Sequence, residues 1–558
     1  GLSWHAALDN FLIVNQASVN QVITRQEPQQ CKTNPAQCFA MDNGQLENRH
    51  ATFGTLRLRN WEGPAFESIG RNYQFNSSVE WFNQGKTGAH DVKLGVRVNH
   101  FENPYKSRIP GDERTVTSQL AAAPAAVETL KRTYCANDLR AGGDCQKGWT
   151  ETTTSGQTGT LFLQDAWKPT QYLTLNPGVA LNYGNFQDPY GTKVIDVLAP
   201  TPHISAVWDP THDGKTAFRG SFASYVDTGF LAVARYAAAS PYYTECQWNP
   251  VTEEYDLNCT AGGGASQNTV GKPCGPTNVG PNGQPCQNDN TKVPRTWELT
   301  FGGEREVIPG AAFGFDFIYR KYPNQWEDAE TNRVWNGGGT ALVTDGAFKN
   351  GREESILDLS ARPENNRTYR GVTVFLRKYV GDLQLLLAWT RHQQYGSPLT
   401  YNSPFLSNPS QNLYYYGYIA TEQRNEAKIM GNYKLTKWFT IGTNCVYRNG
   451  NPWDRRFYNP VTDSRNDLRS AVGTDPRNIN DADDDFNIRT GDVFNVFLQF
   501  RLKLQPLIKM NAETWLDVFN VAQNRDVTTY TTDDTINWGR ISARRGPPYI
   551  RFGFRYQY

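Results

Sequence analysis

The sequence predicts an all-β chain that crosses a membrane as an antiparallel barrel, and three observations support this prediction. Many segments alternate apolar and polar residues, as strands do when their two faces meet different surroundings. The connections between these segments are alternately short and long. Mean hydropathy is −0.63, and the sequence has no run of about 18 apolar residues, so no transmembrane helix is expected.

The clearest alternation lies at the C-terminus, between residues 549 and 558. Every even position from 550 to 558 is apolar or aromatic, and every odd position from 551 to 557 is small or polar. About ten residues of tilted strand are enough to cross a bilayer. An aromatic strand at the C-terminus is typical of bacterial outer-membrane barrels, and localisation in the outer membrane follows.

The same alternation recurs along the chain, at residues 73–81, 91–99, 173–183, 313–320 and 494–504. The polar faces carry charges of both signs. In a barrel the polar face lines a wet lumen and the apolar face meets lipid, whereas in a soluble sandwich the polar face would meet bulk water. Pro177 interrupts one of these segments, which indicates either a bulge or a different register.

The connections predict the orientation of the barrel. The short ones are rich in turn-forming residues and lie at 83–89, 168–171, 209–215, 306–310, 379–382, 435–437 and 505–506. The long ones lie at 15–72, 102–158, 184–201, 227–294, 323–367, 395–425, 449–491 and 520–548. Such alternation predicts short periplasmic turns and long extracellular loops.

About 16 strands are expected from this pattern, the first near Ser3 to Val14, with both termini facing the periplasm. Within the second long loop, residues Ala121 to Tyr134 are rich in helix-forming side chains and predict a short helix.

Eight of the nine cysteines form four close pairs, all within long loops. The expected disulfides, which require an oxidising compartment, are Cys31–Cys38, Cys135–Cys145, Cys246–Cys259 and Cys274–Cys286. The alternative of zinc binding lacks ligand spacing and neighbouring histidines. Cys445 lies on an apolar strand face and is predicted to be a free thiol.

Four segments resemble motifs of TonB-dependent receptor barrels. They are the hairpin at 160–178 (TLFLQDAWKPT, then LTLNPG), the strand start at 88–95 (GAHDVKLG), the YRGV segment at 369–372 and the DVFNVAQN segment at 517–524. The order and spacing of these motifs are most similar to the Oar-like branch of the family. The resemblance covers most of residues 73–558.

The resemblance implies a barrel of about 22 strands around a plug domain, with a TonB box upstream. Residues 1–558 would then be the C-terminal barrel portion, and the plug and roughly six strands would be missing from this chain. The alternative is a self-standing, porin-like barrel of about 16 strands.

The function implied by the resemblance is transport of a bulky solute across the outer membrane, after capture by the extracellular loops. The expected partners are outer-membrane lipid, the TonB energy-transducing complex acting through the missing N-terminal part, and an unknown extracellular ligand. A passive porin and a surface adhesion or assembly barrel are the alternatives. No catalytic grouping is recognisable, so an enzyme is not expected, and a net charge of +1 gives no reason to expect a nucleic-acid partner.

Two groups of residues are candidate sites. Aromatic and arginine side chains near the outer strand ends could bind a sugar, a peptide or an anionic siderophore. The alternative, which the pattern favours, is an extracellular aromatic girdle or ordinary loop packing. The residues are Tyr414, Tyr415, Tyr416, Trp453, Arg455 and Arg456. The acidic run with Asp481, Asp483 and Asp485 is a candidate structural calcium site, and its alternative is a solvated loop. No other cofactor is expected.

Overall fold

The structure of the 558-residue chain is a computed structural model. It describes residues 1–26, 45–50, 54–59, 65–109, 112–119, 127–135, 145–187, 193–229, 231–236, 242–249, 251–252, 254–255, 260–262, 267–270, 293–330, 333–336, 344–348, 356–397, 417–419, 421–452, 456–459, 464–469, 489–522, 527–530 and 540–556.

The chain is almost entirely β-structure. In chain order, the strands are β1 (Leu2–Leu8), β2 (Phe11–Gln26), β3 (Gln45–His50), β4 (Gly54–Arg59), β5 (Ala65–Gly85), β6 (Gly88–Arg108), β7 (Glu113–Gln119), β8 (Val127–Cys135), β9 (Thr150–Asp165), β10 (Trp167–Thr170), β11 (Leu173–Gln187), β12 (Lys193–Trp208), β13 (Thr216–Val226), β14 (Tyr242–Asn249), β15 (Glu254–Tyr255), β16 (Thr260–Gly262), β17 (Gln267–Val270), β18 (Arg295–Ile308), β19 (Ala311–Glu330), β20 (Arg333–Asn336), β21 (Thr344–Phe348), β22 (Ile356–Arg362), β23 (Arg367–Val380), β24 (Leu383–Gly396), β25 (Gly417–Tyr418), β26 (Asn425–Lys434), β27 (Phe439–Arg448), β28 (Arg456–Asn459), β29 (Ser464–Arg469), β30 (Val493–Lys503), β31 (Ala512–Phe519), β32 (Val527–Tyr530), β33 (Ile541–Arg544) and β34 (Tyr549–Tyr556). The helices are α1 (Leu231–Tyr236) and α2 (Gln505–Ile508).

One sheet of 21 strands forms the wall of the barrel. Four of its members, β10, β17, β22 and β25, are short extensions of longer neighbours or of the outer rim. The other seventeen follow one another around the wall, each antiparallel to the next, from β1 through β2, β5, β6, β9, β11, β12, β13, β18, β19, β23, β24, β26, β27, β30 and β31 to β34. The fold class predicted from the sequence is confirmed.

The first predicted strand is in fact a hairpin. Leu8 pairs with Phe11 across a two-residue turn, where Asp9 takes a positive φ of 48°, a conformation that Asp tolerates better than most residues. The expectation of one strand from Ser3 to Val14 is therefore wrong. Because β1 ends at a short turn, it begins at the end of the barrel that carries the long loops. The expectation that Gly1 faces the periplasm is wrong as well.

All the predicted short connections are short in the structure, and they meet at one end of the barrel. One connection predicted to be long is not. β11 and β12 stay paired as far as Gln187 and Lys193, so only residues 188–192 join them. Pro177 lies within β11 opposite Ile204. On the other side of β11 the ladder with β9 ends at Gly178 and the ladder with β10 begins at Leu175, so Pro177 lies at a break, where a strand accommodates proline.

The second long loop contains strands, and the helix predicted at Ala121 to Tyr134 is wrong for residues 127–134. Those residues form β8, which pairs with β7 on one side and β14 on the other. Pairing on both sides outweighs a helix propensity of a few tenths of a kcal/mol per residue, roughly the range among ordinary residues. Residues 121–126 lie outside the described part of the chain.

The outer surface of the wall is apolar. Exposed side chains on this face include Leu94, Leu161, Leu198, Phe301, Phe313 and Phe552. Such an area far exceeds the apolar patches of soluble monomers. Near the short turns it ends in exposed aromatic residues such as Trp81, Trp208, Tyr433 and Tyr556, as the interfacial girdle of a membrane barrel does. No helix in the described part of the chain is long and apolar enough to cross a membrane.

Beyond the wall, the long loops build a second sheet. It has seven strands, in the order β15–β14–β8–β7–β3–β4, with β16 also paired to β14. Three different loops contribute to it, so they support one another at the outer end. A cluster of buried apolar residues lies at the same end, where α1 packs against wall strands.

Candidate functional site: the lumen wall and its outer mouth

Most of the residues that the sequence offered as sites lie outside the described part of the chain. This holds for Tyr414, Tyr415, Tyr416, Trp453 and Arg455, and also for Asp481, Asp483 and Asp485. Arg456 begins β28 and pairs with Arg469 across a hairpin. The ligand and calcium sites remain predictions. Among the described residues there is no group of three or more His, Cys, Asp or Glu side chains that could hold a metal ion.

The disulfide prediction is confirmed for one pair. Cys135 and Cys145 are bonded, with Cα atoms 5.0 Å apart, and Cys135 is buried. Cys246 is also disulfide-bonded, but its predicted partner Cys259 lies outside the described residues, as do Cys31, Cys38, Cys274 and Cys286. Cys445 is a free, half-buried thiol, as predicted.

The inner face of the wall carries ion pairs between strands that are adjacent or next but one in the wall. Strand alternation places them opposite the apolar face, so they line the lumen. Arg219 donates to Asp316 at 2.7 Å and lies 3.8 Å from Glu304, which also binds Arg377. Three further pairs are Lys93–Glu80, Arg320–Glu298 and Arg448–Glu426. Since each of these charges has a partner of opposite sign, this part of the lumen wall is strongly polar but locally balanced in charge.

On the last strands lies the ion pair whose two partners differ most in burial. The Asp517 carboxylate is fully buried on β31 and accepts hydrogen bonds from Arg551 Nη2 at 2.7 Å and Gln499 Nε2 at 2.8 Å. The Arg551 side chain remains 64% exposed. Both faces of β34 are therefore open to their surroundings: Phe552 on the lipid side is 70% exposed. An exposed arginine in the lumen is available to a passing solute or to another part of the protein.

At the outer mouth a buried carboxylate ties two loops together. Glu422 precedes β26 and is completely buried. It binds Arg489, which precedes β30 and also donates to the Gly450 carbonyl at 2.9 Å. Arg424 lies 4.6 Å over the Tyr418 ring. These contacts fix the bases of the loops that carry most of the predicted ligand-binding residues.

A second carboxylate, Asp492, supports the same region. It accepts hydrogen bonds from the Tyr447 hydroxyl at 2.6 Å and the Gly450 N–H at 3.0 Å. Partial burial works to raise the pKa of this carboxyl, but the hydrogen bonds from Tyr447, Gly450 and Asn449 outweigh it and hold the pKa below its ordinary value. Asp492 is therefore ionised at physiological pH.

The lipid face carries an apolar groove near the short turns. It has a volume of 520 Å³ and is lined by side chains such as Trp438, Phe500, Leu502, Leu516 and Phe552. Its lining is almost wholly apolar, as an acyl chain requires. The groove thus belongs to the lipid contact of the barrel, not to a solute site.

Comparison with known proteins supports this architecture. No family model matches the sequence, and no curated protein matches it either. Among solved structures, the chain is similar to the outer membrane transporter YddB from Escherichia coli, with a TM-score of 0.60 and 10% identity over 99% of this chain and 61% of that one. It is also similar to the siderophore receptor PiuA from Acinetobacter baumannii (TM-score 0.52, 11% identity, 99% and 62% covered) and to FpvA from P. aeruginosa, solved with bound pyoverdines (0.50, 9%, 99% and 54%).

These similarities define the fold. The fold is that of outer-membrane receptor and transporter barrels, and the apolar outer surface places the chain in a bacterial outer membrane. At this identity the comparison establishes the fold alone. The chain spans about three fifths of the length of the transporter that it resembles, with 61% of that protein covered.

Proposed function

We propose that this chain is the barrel portion of a TonB-dependent receptor that moves a bulky solute across the outer membrane. The observation that carries the proposal is the structural similarity, over 99% of the chain, to a transporter, a siderophore receptor and the pyoverdine-bound FpvA. A wide, wet lumen wall with exposed arginine side chains, such as Arg551, agrees with passage of a polar solute. The motif resemblance favours the Oar-like branch of the family.

The plug and the first strands of such a receptor would be supplied by sequence upstream of this chain. Among the described residues, β1 pairs only with β2 and β34 pairs only with β31, so both edges of the wall are open. Since open edges are avoided in membrane barrels, these edges support the proposal that further strands close the wall. Seventeen alternating strands leave β1 and β34 parallel, so an odd number of additional strands is needed for antiparallel closure. Five would give the 22 implied by the resemblance.

Ligand capture is assigned to the long loops. The seven-stranded outer sheet and the fixed loop bases at Glu422 and Asp492 give these loops a rigid support. The proposed ligand class is a siderophore-like solute, because two of the structurally similar proteins are PiuA, a siderophore receptor, and FpvA, which was solved with pyoverdines. Energy would come from the TonB complex acting on the upstream plug.

Uptake of radiolabelled iron tests this proposal. Cells carrying the complete gene are compared with a deletion strain for uptake from a panel of ferric siderophores, with and without a protonophore. We expect uptake that depends on both the gene and the proton gradient. Uptake that persists with the protonophore would identify a passive channel. Equal uptake by both strains for every siderophore would refute the siderophore assignment.

One observation favours the porin alternative. Residues 227–229 and 231–236 fold against the inner face of the wall, and an inward-folded segment is what a porin-like channel needs to narrow its lumen. The protonophore arm of the uptake experiment separates the two functions.

A further inference from the structure

The segment after β13 does not extend outward with the rest of its loop. The ladder between β13 and β18 continues to Asp227, whose N–H donates to the Pro294 carbonyl at 3.0 Å. The chain then turns along the inner face of the wall and forms α1. The helix α1 contacts the wall strands β6, β9 and β11. The apolar cluster around it also includes residues of β19 and β22.

A carboxylate anchors the start of this segment. Asp227 accepts a hydrogen bond from the indole N–H of Trp326 on β19 at 3.0 Å, and a second one from the Gly229 N–H at 3.0 Å. Trp326 itself is 6% exposed. Asp227 thus closes the turn and also links it to a wall strand 99 residues away in sequence.

Two glycines permit close approach to the wall. Gly184 of β11 faces the segment, and a Cβ there would overlap the Thr228 carbonyl oxygen. Gly229 has a φ of +102°, and a Cβ at this position would lie 2.6 Å from Ile195 Cδ1, closer than carbon atoms can approach. The backbone of residues 228–229 therefore lies directly on β11 and β12.

The helix completes the attachment. Val233 and Ala234 are fully buried, in a cluster with Phe186, Ile195 and Leu359. The Arg235 guanidinium lies 3.6 Å over the Tyr105 ring of β6. Since Phe186 and Tyr105 occupy lumen-facing positions on non-adjacent strands, the segment spans part of the inner wall.

We propose that residues 227–229 and 231–236, together with the wall positions that hold them, form a fixed constriction at the outer mouth of the lumen. The segment is held by two hydrogen bonds, two glycine contacts and a fully buried helical face. Such packing is typical of a protein core and not of a loop that opens and closes over a ligand. A solute must pass beside this segment, which therefore limits the size of what can enter. The inference depends on the barrel fold and not on how transport is energised.

Cysteine labelling of α1 tests the constriction. In a Cys445→Ser background, the purified chain carries either Ala234→Cys or Ala232→Cys, and the rate of reaction with a maleimide is measured. Ala234 is fully buried while Ala232, on the same helix, is exposed. We expect Ala234→Cys to react at least about tenfold more slowly, because a thiol in a fixed core reacts only after local opening.

A second substitution shows whether the wall holds the segment. Gly184→Ala should raise the labelling rate of Ala234→Cys towards that of Ala232→Cys. Gly220→Ala on β13 is the matched control, since a Cβ there meets its nearest atom at an ordinary 3.6 Å and should change nothing. Equal rates at positions 232 and 234 in the parent protein, or no effect of Gly184→Ala, would overturn the proposal.

If Ala234→Cys does not fold, hydrogen exchange of the unsubstituted chain tests whether the segment is fixed. The amides of residues 234–236, which can hydrogen-bond within the helix, should then be as protected as those of β11. Exchange as fast as in the exposed turn at 209–215 would overturn the fixed constriction. Neither experiment measures transport, so this inference and the proposed function can fail separately.

Discussion

At the scale of single residues, the two faces of one strand predict opposite responses to the same charge. Leu498 shares the apolar face of β30 with Phe500, which lines the lipid-side groove. We expect Leu498→Arg to cost roughly 2–4 kcal/mol of unfolding free energy, the mid-bilayer value for a barrel. Gln499, one residue on, lies in the lumen beside Asp517. Gln499→Arg should be much less costly, since a second cation would share that carboxylate with Arg551.

Reversible unfolding in detergent or lipid, followed by tryptophan fluorescence, measures both variants. Equal losses would mean that both faces are buried. The wall would then not separate lipid from a wet lumen, and the membrane assignment would be wrong.

The Asp517–Arg551 pair offers a second prediction at this scale. Arg551→Gln leaves a fully buried carboxylate with Gln499 as its main partner. We expect a loss of about 2 kcal/mol, the size of a hydrogen bond between charged groups, visible as earlier release of β34 in hydrogen exchange. Arg555→Gln is the control, because its partner Glu513 lies 3.4 Å away and is not fully buried. Equal effects of the two changes would refute the special role of Asp517.

At the scale of elements, most of the wall could be predicted from the sequence, because period-two alternation and turn residues are local signals. The β1–β2 hairpin is not predicted, although Asp9-Asn10 is a turn signal, because the alternating residues on both sides of it are also compatible with one continuous strand. β8 was missed because its strand pairing is decided by β7 and β14, which lie elsewhere in sequence. The constriction could not be predicted at all. Asp227 and Trp326 meet only once the barrel has formed, and Gly184 and Gly229 carry no side chain to signal their role.

The loop base at Asp492 gives an element-scale prediction of pH dependence. The folded pKa lies below the ordinary value, so the bonds to Tyr447 and Gly450 contribute stability above about pH 4, and this is lost as the pH falls through the folded pKa. We expect Asp492→Asn at neutral pH to reproduce the acid state, with faster hydrogen exchange in residues 449–452. Slow exchange in the variant would show that the carboxylate charge does not hold the loop.

The outer loops give another prediction, from their cysteines. Non-reducing peptide mapping should yield Cys31–Cys38, Cys246–Cys259 and Cys274–Cys286 in addition to Cys135–Cys145, with Cys445 free. The pairing among the four cysteines between residues 246 and 286 is the part of this prediction most open to error, because four cysteines in one loop allow three connectivities. Reduced or metal-bound cysteines at these positions would contradict an extracellular location for the loops.

At the scale of the whole molecule, orientation follows from where the turns and loops meet. All short turns lie at one end of the wall and the seven-stranded sheet at the other, and membrane barrels place short turns in the periplasm. Intact cells expressing the complete protein are treated with a membrane-impermeant thiol reagent. A cysteine at Val251, which is 89% exposed in an outer loop, should be labelled. A cysteine at Thr211 in a short turn should react only after the outer membrane is permeabilised. The reverse pattern would invert the barrel and, with it, place the constriction of residues 227–229 and 231–236 at the periplasmic exit of the lumen.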